Sequence, residues 1–274
     1  MKVTDMINFM KNYIKKTPLV FPYIVIKNFI KKNGKSQSNE SEIIDRLIRK
    51  YNVPKLFVEF GFSGWEFNCI KLTEDWEGLL LDGNRYNIKI ANSIFNSRIT
   101  AKNLWITLDS LDFVFDYLNK KNGLGILSID VDGNDYWFLE KLVITKPAII
   151  VAEFNLAFGL LPISVPYDFA FDRTVNHESW TYYGASLSAI NHLCSLHGYS
   201  LLEVSQNGVN AFFVRDDLLS PNDQKLRLED GYKVKVYPDR STSAQQWDVI
   251  KHLPYVDVSS AGASSKDRGI ILQT

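Results

Sequence analysis

The chain is poor in cysteine: 274 residues contain two, Cys69 and Cys194, far apart and in no ligand-like spacing. That excludes a disulfide framework or a cysteine-rich zinc site; two buried thiols in a reducing, cytoplasmic compartment are expected. Net charge is also lacking, since 31 basic residues balance 31 acidic ones. A nucleic-acid surface needs a basic excess, so none is expected. Long hydrophobic runs are absent too. The most apolar early stretch, "PLVFPYIVI", is too short to cross a bilayer. The first twenty residues carry charge throughout, without the apolar centre of a secretory leader. These residues are expected to pack on the main domain, not to hold the chain on a membrane. No G-x-G-x-x-G occurs, which disfavours a dinucleotide.

What is present suits a globular α/β chain, with 46% hydrophobic and 23% charged residues. Residues 1–32 read as one or two helices broken at Pro18 and Pro22. A polar loop, 31–41, precedes a helix "SEIIDRLIRKY" with Ser41 as N-cap. Strands then alternate with helices: "KLFVEFG", helix "GWEFNCIKLTED", "GLLLDG", helix "NRYNIKIANSIF", "AKNLWIT" (101–107), helix "LDSLDFVFDYLNKK", "LGILSIDVD", helix "DYWFLEKLV", "AIIVAEFN". Nearly continuous apolar strands between amphipathic helices mean a mostly parallel sheet with helices on both faces. A long aromatic segment, 156–180, suggests a lid or binding loop. A helix, "GASLSAINHLCSLHG", leads to two strands joined at "QNG", a hairpin. The expected organisation is a helical segment 1–50, a main domain 51–216 and an irregular extension 217–274 with an unstructured tail. Oligomerisation is left open, a homo-oligomer being compatible with the sequence.

Ligands of open α/β sheets bind at the carboxyl ends of the strands. The first strand ends in "VEFGFSGWEF", where Gly61 and Gly64 permit a tight turn and Glu59 lies just upstream. An acidic turn repels phosphate and suits a cationic ligand. Asp82 follows Gly61 by 21 residues, a spacing at which a carboxylate accepts from a ribose diol.

"FVEFGFSGWE", "LLLDGN", "ITLDSLD" and "LSIDVDGNDYW", in that order, resemble the successive motifs of class I S-adenosylmethionine-dependent methyltransferases of the FkbM-like kind. "VAEFN", "VPYD", "YYGASLSAI" and "NGVNAFFVR" are similar to segments of bacterial members associated with surface polysaccharide. The resemblance spans roughly 53–216. It departs in the first motif, where Trp65 follows Gly64 in place of a third glycine. It implies a Rossmann-like, seven-stranded sheet whose last strand is antiparallel. It also implies that S-adenosylmethionine lies with its methionine end on Glu59, Gly61 and Gly64, and its ribose on Asp82 with Asn84. The adenine would lie beside 103–107, including Asn103 and Trp105.

"DVDGND" partly matches a calcium loop, but Asp135 stands where glycine is required and Lys141 where glutamate is. Strand alternation is more informative: Ser128, Asp130 and Asp132 share one face, as do Glu153 and Asn155. Neighbouring strands would cluster Asp130, Asp132, Glu153 and Asn155 at the carboxyl edge. Buried carboxylates need compensation. A divalent metal (Mg or Mn) on these four is one solution, and metal-free acid–base chemistry by Asp130, Asp132 or His177 is another. A third gives Asp130 to the cofactor and makes Asp132 a helix cap. Tyr167, Phe169, Trp180, Tyr182, Tyr183 and Ser186 are candidates for the acceptor surface. Arg215 would meet a substrate phosphate or form a strand-end salt bridge. The expected activity is O-methylation of a sugar or sugar nucleotide for capsular or surface polysaccharide, the substrate class following from the resemblance alone. A nucleotide-dependent oxidoreductase and a non-catalytic subunit retaining the cofactor fold are the alternatives.

Overall fold

The computed structural model describes residues 36–64, 66–233, 235, 241–259 and 270–272. The helices expected within 1–32, and Trp65, lie outside these residues.

Seven strands form the main sheet: β1 (Leu56–Phe60), β2 (Glu77–Asp82), β3 (Ile99–Asn103), β4 (Ile126–Ile129), β5 (Ile149–Glu153), β7 (Tyr199–Val204) and β8 (Asn210–Arg215). Their order is β3-β2-β1-β4-β5-β8-β7. The first five are parallel, while β8 runs antiparallel to both β5 and β7. This is the Rossmann-like, seven-stranded, mostly parallel sheet expected, with an antiparallel last strand. Strand order reverses direction at β1, so the crevice for a ligand opens beside β1 and β4.

The central strands are apolar on both faces because both faces are covered. On one face, Val58, Leu81, Leu127, Ile150 and Phe213 meet the helices α3 (Asp112–Leu118), α4 (Asp135–Leu142) and α6 (Leu187–Leu196). On the other, Phe57, Leu80, Ile126, Val151 and Phe212 meet α1 (Glu40–Lys50) and α2 (Arg85–Ile94). Helix α1 buries Ile43, Ile44 and Leu47 and so shares this core. Its N-cap is Asn39, not Ser41; Glu40 and Glu42 at its start and Arg49 and Lys50 at its end complement the helix dipole.

Three sequence expectations change. The helix expected over 64–75 is only a 3-10 turn, Ile70–Glu74. Glu59 captures the Asn68 and Cys69 amides at 2.7 and 2.9 Å, and Phe67, Cys69, Ile70 and Leu72 are buried without a polar face. The strand expected at 101–107 is β3, ending at Asn103, because Thr107 and Ser110 hydrogen-bond reciprocally into a turn. The region after 216 is not wholly irregular. It contains α7 (Leu228–Gly231), α8 (Ser243–Ile250), capped by Thr242 and Gln245, and β9 (Pro254–Asp257). β9 pairs with β6 (Ile163–Ser164) and with β10 (Ile270–Leu272), so part of the tail expected to be unstructured is a strand. Tyr255, Ile250 and Trp247 pack on Phe158 and Tyr182, covering the long segment.

Gly61 has φ +68°, and a Cβ there would lie 1.4 Å from the Asp130 carbonyl oxygen. The ends of β1 and β4 therefore cross at a contact only glycine permits. Gly61→Ala is expected to destabilise the protein by more than ~2 kcal/mol, read as a Tm drop of several degrees in thermal unfolding. An unchanged Tm would contradict this contact.

Candidate active site

A cavity of about 670 Å³ opens at the carboxyl ends of β1, β2, β4 and β5. Its lining carries six carboxylates, from Glu59, Glu66, Asp82, Asp130, Asp132 and Glu153, against one cation, Arg173. The charge is set by strand geometry: acidic residues at strand ends converge where backbone amides and water would otherwise solvate them.

At one end, Asp82 closes β2. Its oxygens accept from the Phe62 amide (3.1 Å) and the Asn84 amide, and burial raises its pKa. Asn84 caps α2 by accepting from the Tyr86 amide. Trp105 and Ile106 line the adjacent wall, and the Trp105 Nε1–H donates to the Phe169 carbonyl at 2.8 Å.

At the centre, Asp130, Asp132 and Glu153 can each offer an oxygen within 4.8 Å of the others. Burial, then the neighbouring carboxylates, pushes Asp130 and Glu153 well above the usual carboxylate range. Glu153 Oε2 is buried without a hydrogen-bond partner. Asp132 takes the left-handed conformation, φ +55°, and pairs with Arg173. The turn carrying Asp130–Asp132 is held by Asp135, which accepts from the Val131 and Gly133 amides at 2.8 and 2.9 Å. Burial raises Asp135 to about 6. Asp132 is thus no helix cap; Asp135 fixes the turn.

Arg173 begins the four-residue helix α5 (Arg173–Asn176), inside the long segment. Its guanidinium stacks 3.8 Å from the Tyr183 ring, and its Nε–H donates to the Trp180 carbonyl. The segment is stitched over the cavity: Asn134 donates to the Asp168 carbonyl, and the Phe171 ring fills the space beside Gly133.

Of the sequence candidates, Glu59, Gly61, Asp82, Asn84, Trp105, Asp130, Asp132 and Glu153 meet at this cavity. The others do not. Gly64 instead allows contact with α2, since a Cβ would strike Ile90 at 2.6 Å. Asn103 donates to the Asp82 and Gly83 carbonyls from outside the lining. Asn155 is 2% exposed and fully committed: Oδ1 accepts from Ala157, and Nδ2 donates to the Thr181 and Tyr183 carbonyls. It therefore leaves the metal set. His177 bonds Ser179 outside the cavity, so it is not placed as a base. Tyr167 accepts from the Leu108 amide, and the Tyr182 hydroxyl donates to the Pro254 carbonyl. Tyr183 holds Arg173, Trp180 is exposed, and Ser186 caps α6 through Ala189. None of these five lines the cavity. Arg215 lies by the amino end of β5, bonded to Asp217 and the Lys146 carbonyl, which is the salt-bridge alternative. Sequence reasoning missed Arg173, Asp135 and Asn210. The one basic residue in an aromatic segment was the signal for the first.

Glu59 also titrates unusually: burial raises it from 4.5 to about 7. The folded state therefore binds its proton more tightly than the unfolded chain, so this group's contribution is lost as pH rises from 4.5 to about 7. Tm of the metal-free protein is expected to fall across that window, less steeply in Glu59→Gln. A Tm rising over the same window would contradict this.

No family model matches the chain, and no curated protein matches it. Among the described residues, no helix is long and apolar enough to cross a membrane. The chain is similar to several solved structures. An O-methyltransferase from Bacillus cereus in complex with SAH is 15% identical, with 70% of this chain and 86% of that one covered and a TM-score of 0.44. A putative O-methyltransferase from Klebsiella pneumoniae is 15% identical, with 76% and 94% covered and a TM-score of 0.43. A TehB-like SAM-dependent methyltransferase from Corynebacterium glutamicum is 12% identical, with 76% and 98% covered and a TM-score of 0.37.

Proposed function

We propose that the chain is an S-adenosylmethionine-dependent O-methyltransferase acting on a hydroxyl of a sugar or sugar nucleotide in surface-polysaccharide biosynthesis. The observation that carries this is the convergence of Asp130, Asp132 and Glu153 in the same cavity as Asp82 and Gly61. The acceptor class rests on the sequence resemblance. The acidic turn at Glu59, Gly61 and Glu66 favours a sulfonium over a pyrophosphate at that end of the cavity, which counts against a dinucleotide-dependent oxidoreductase.

In this reading Asp82 accepts from the ribose diol, and Trp105 and Ile106 flank the base. Gly61, whose backbone lines the cavity, would lie against the methionine end. The bound cofactor supplies an electrophilic methyl group. Asp130 and Glu153, raised by burial and by their neighbouring carboxylates, are stronger bases than exposed carboxylates. As the new O–CH₃ bond forms, this carboxylate pair takes the hydroxyl proton, and the electron pair of the broken S–CH₃ bond stays on sulfur. The wall of the cavity positions the hydroxyl for in-line attack.

The donor set also fits a hard divalent cation. Three carboxylates lie within reach of one another, and Glu153 Oε2 lacks a partner. Held there, Mg or Mn would lower the pKa of an acceptor hydroxyl. Arg173 on Asp132 would have to yield to it.

Two measurements test this. Calorimetry is expected to detect S-adenosylmethionine binding, weakened by Asp82→Ala roughly tenfold or about 1.4 kcal/mol; no binding to the wild type sinks the proposal. Millimolar Mn²⁺ is expected to raise Tm, and Glu153→Gln to remove that rise. A Tm indifferent to Mn²⁺ removes the metal from the mechanism.

A further inference from the structure

Beyond the carboxylate cluster the cavity continues to Asn210, the first residue of β8. Asn210 is 1% exposed, yet its Oδ1 has no donor. The amide orientation is fixed: Nδ2 donates to Glu40 Oε1 at 3.3 Å, and a carboxylate accepts only. Glu40 is itself fully buried, and its Oε2 takes the Ser38 amide. Oδ1 is therefore the atom Asn210 presents as an unmet acceptor. Directly opposite across the β5–β8 ladder stands Glu153, whose Oε2 is also unmet. Residues so paired have Cβ atoms about 5 Å apart on the same face of the sheet. Unmet buried acceptors are costly, and two on paired residues that line one cavity call for a ligand group with several donors.

Charge narrows the choice of group. Six carboxylates face one guanidinium in the lining. A hydroxyl brings donors but also lone pairs, whereas an ammonium brings three donors, no acceptor and a positive charge. Position narrows the source. β8 lies three strand spacings from β1, about 14 Å at the usual separation. The methionine end, placed above at Gly61 on β1, is that far from Asn210.

We propose that Glu153 and Asn210 form a subsite for a protonated primary amine carried by the methyl acceptor. The amine subsite follows from the two unmet acceptors; only the identity of its bearer as methyl acceptor rests on the proposed function. The acceptor is then an amino sugar or its nucleotide, with the ammonium anchored at β5–β8 and a neighbouring hydroxyl turned towards Asp130.

The test is calorimetry with matched probes, UDP-glucosamine, UDP-glucose and UDP-N-acetylglucosamine, on the full-length protein, with S-adenosylmethionine titrated separately. The wild type is expected to bind the free-amine probe at least tenfold tighter than the other two. Asn210→Ala and Glu153→Gln are each expected to erase that preference, and Asn210→Ala to change cofactor affinity less than threefold. Equal affinity for the three probes, or no binding of the amine probe at millimolar concentration, would overturn the subsite without needing any variant. A tenfold loss of cofactor affinity in Asn210→Ala would assign the ammonium to the cofactor and overturn its assignment to the acceptor. Absence of cofactor binding in the wild type would sink the methyltransferase reading while leaving the amine preference to be judged on its own.

Discussion

Everything at the cavity depends on the enforced closeness of Asp130 and Glu153, two half-buried carboxylates on adjacent parallel strands. Among the described residues lining the cavity, Arg173 is the one cation set against them, and their pKa values rise in consequence. A fold tolerates such a pair because the sheet leaves it no alternative. β4 and β5 are locked by core residues with zero exposure, Leu127, Ile129, Ile150 and Val151. The cluster is thus held by the packing beneath it, and its unmet electrostatic demand is what a cation, a proton donor or a substrate amine satisfies.

Two further devices keep the cluster in place. Gly61 lets the end of β1 touch the Asp130 carbonyl, so the turn after β1 and the acidic turn share one contact. Asp135 then ties the Val131 and Gly133 amides, which forces Asp132 into its left-handed conformation and turns it towards Arg173. The aromatic segment closes the other side. Its anchor is the small sheet formed by β6, β9 and β10, built partly from the C-terminal extension. The lid of the cavity and the end of the chain are one structure.

The sheet was legible because each of its strands is a short apolar run, and runs of that kind between amphipathic helices admit few arrangements. The strand-end residues Asp82, Asp130, Asp132 and Glu153 were legible for the same reason, since side-chain alternation puts them on one edge. What failed was local. Asn155 looked like a ligand by alternation, yet the chain turns immediately after β5 and uses its amide to hold that turn. His177 and Tyr182 lie in the right segment, but their partners, Ser179 and Pro254, come from contacts no periodicity reports. Tyr255 and Ile250 lie in a mixed stretch, "WDVIKHLPYVDV", so their burial depends on a surface assembled only by folding. Asn210 gave no signal, because its meaning comes from Glu40, distant in sequence, and from Glu153 across the ladder.

The central claim is that one cavity holds the cofactor at Asp82 and Gly61 and presents its methyl group to Asp130 and Glu153. A crystal structure of the protein with S-adenosylmethionine tests it most directly. The account predicts the ribose on Asp82 and the sulfonium methyl facing the Asp130–Glu153 pair. A cofactor bound elsewhere, or in this cavity with its methyl turned away from those carboxylates, would contradict it.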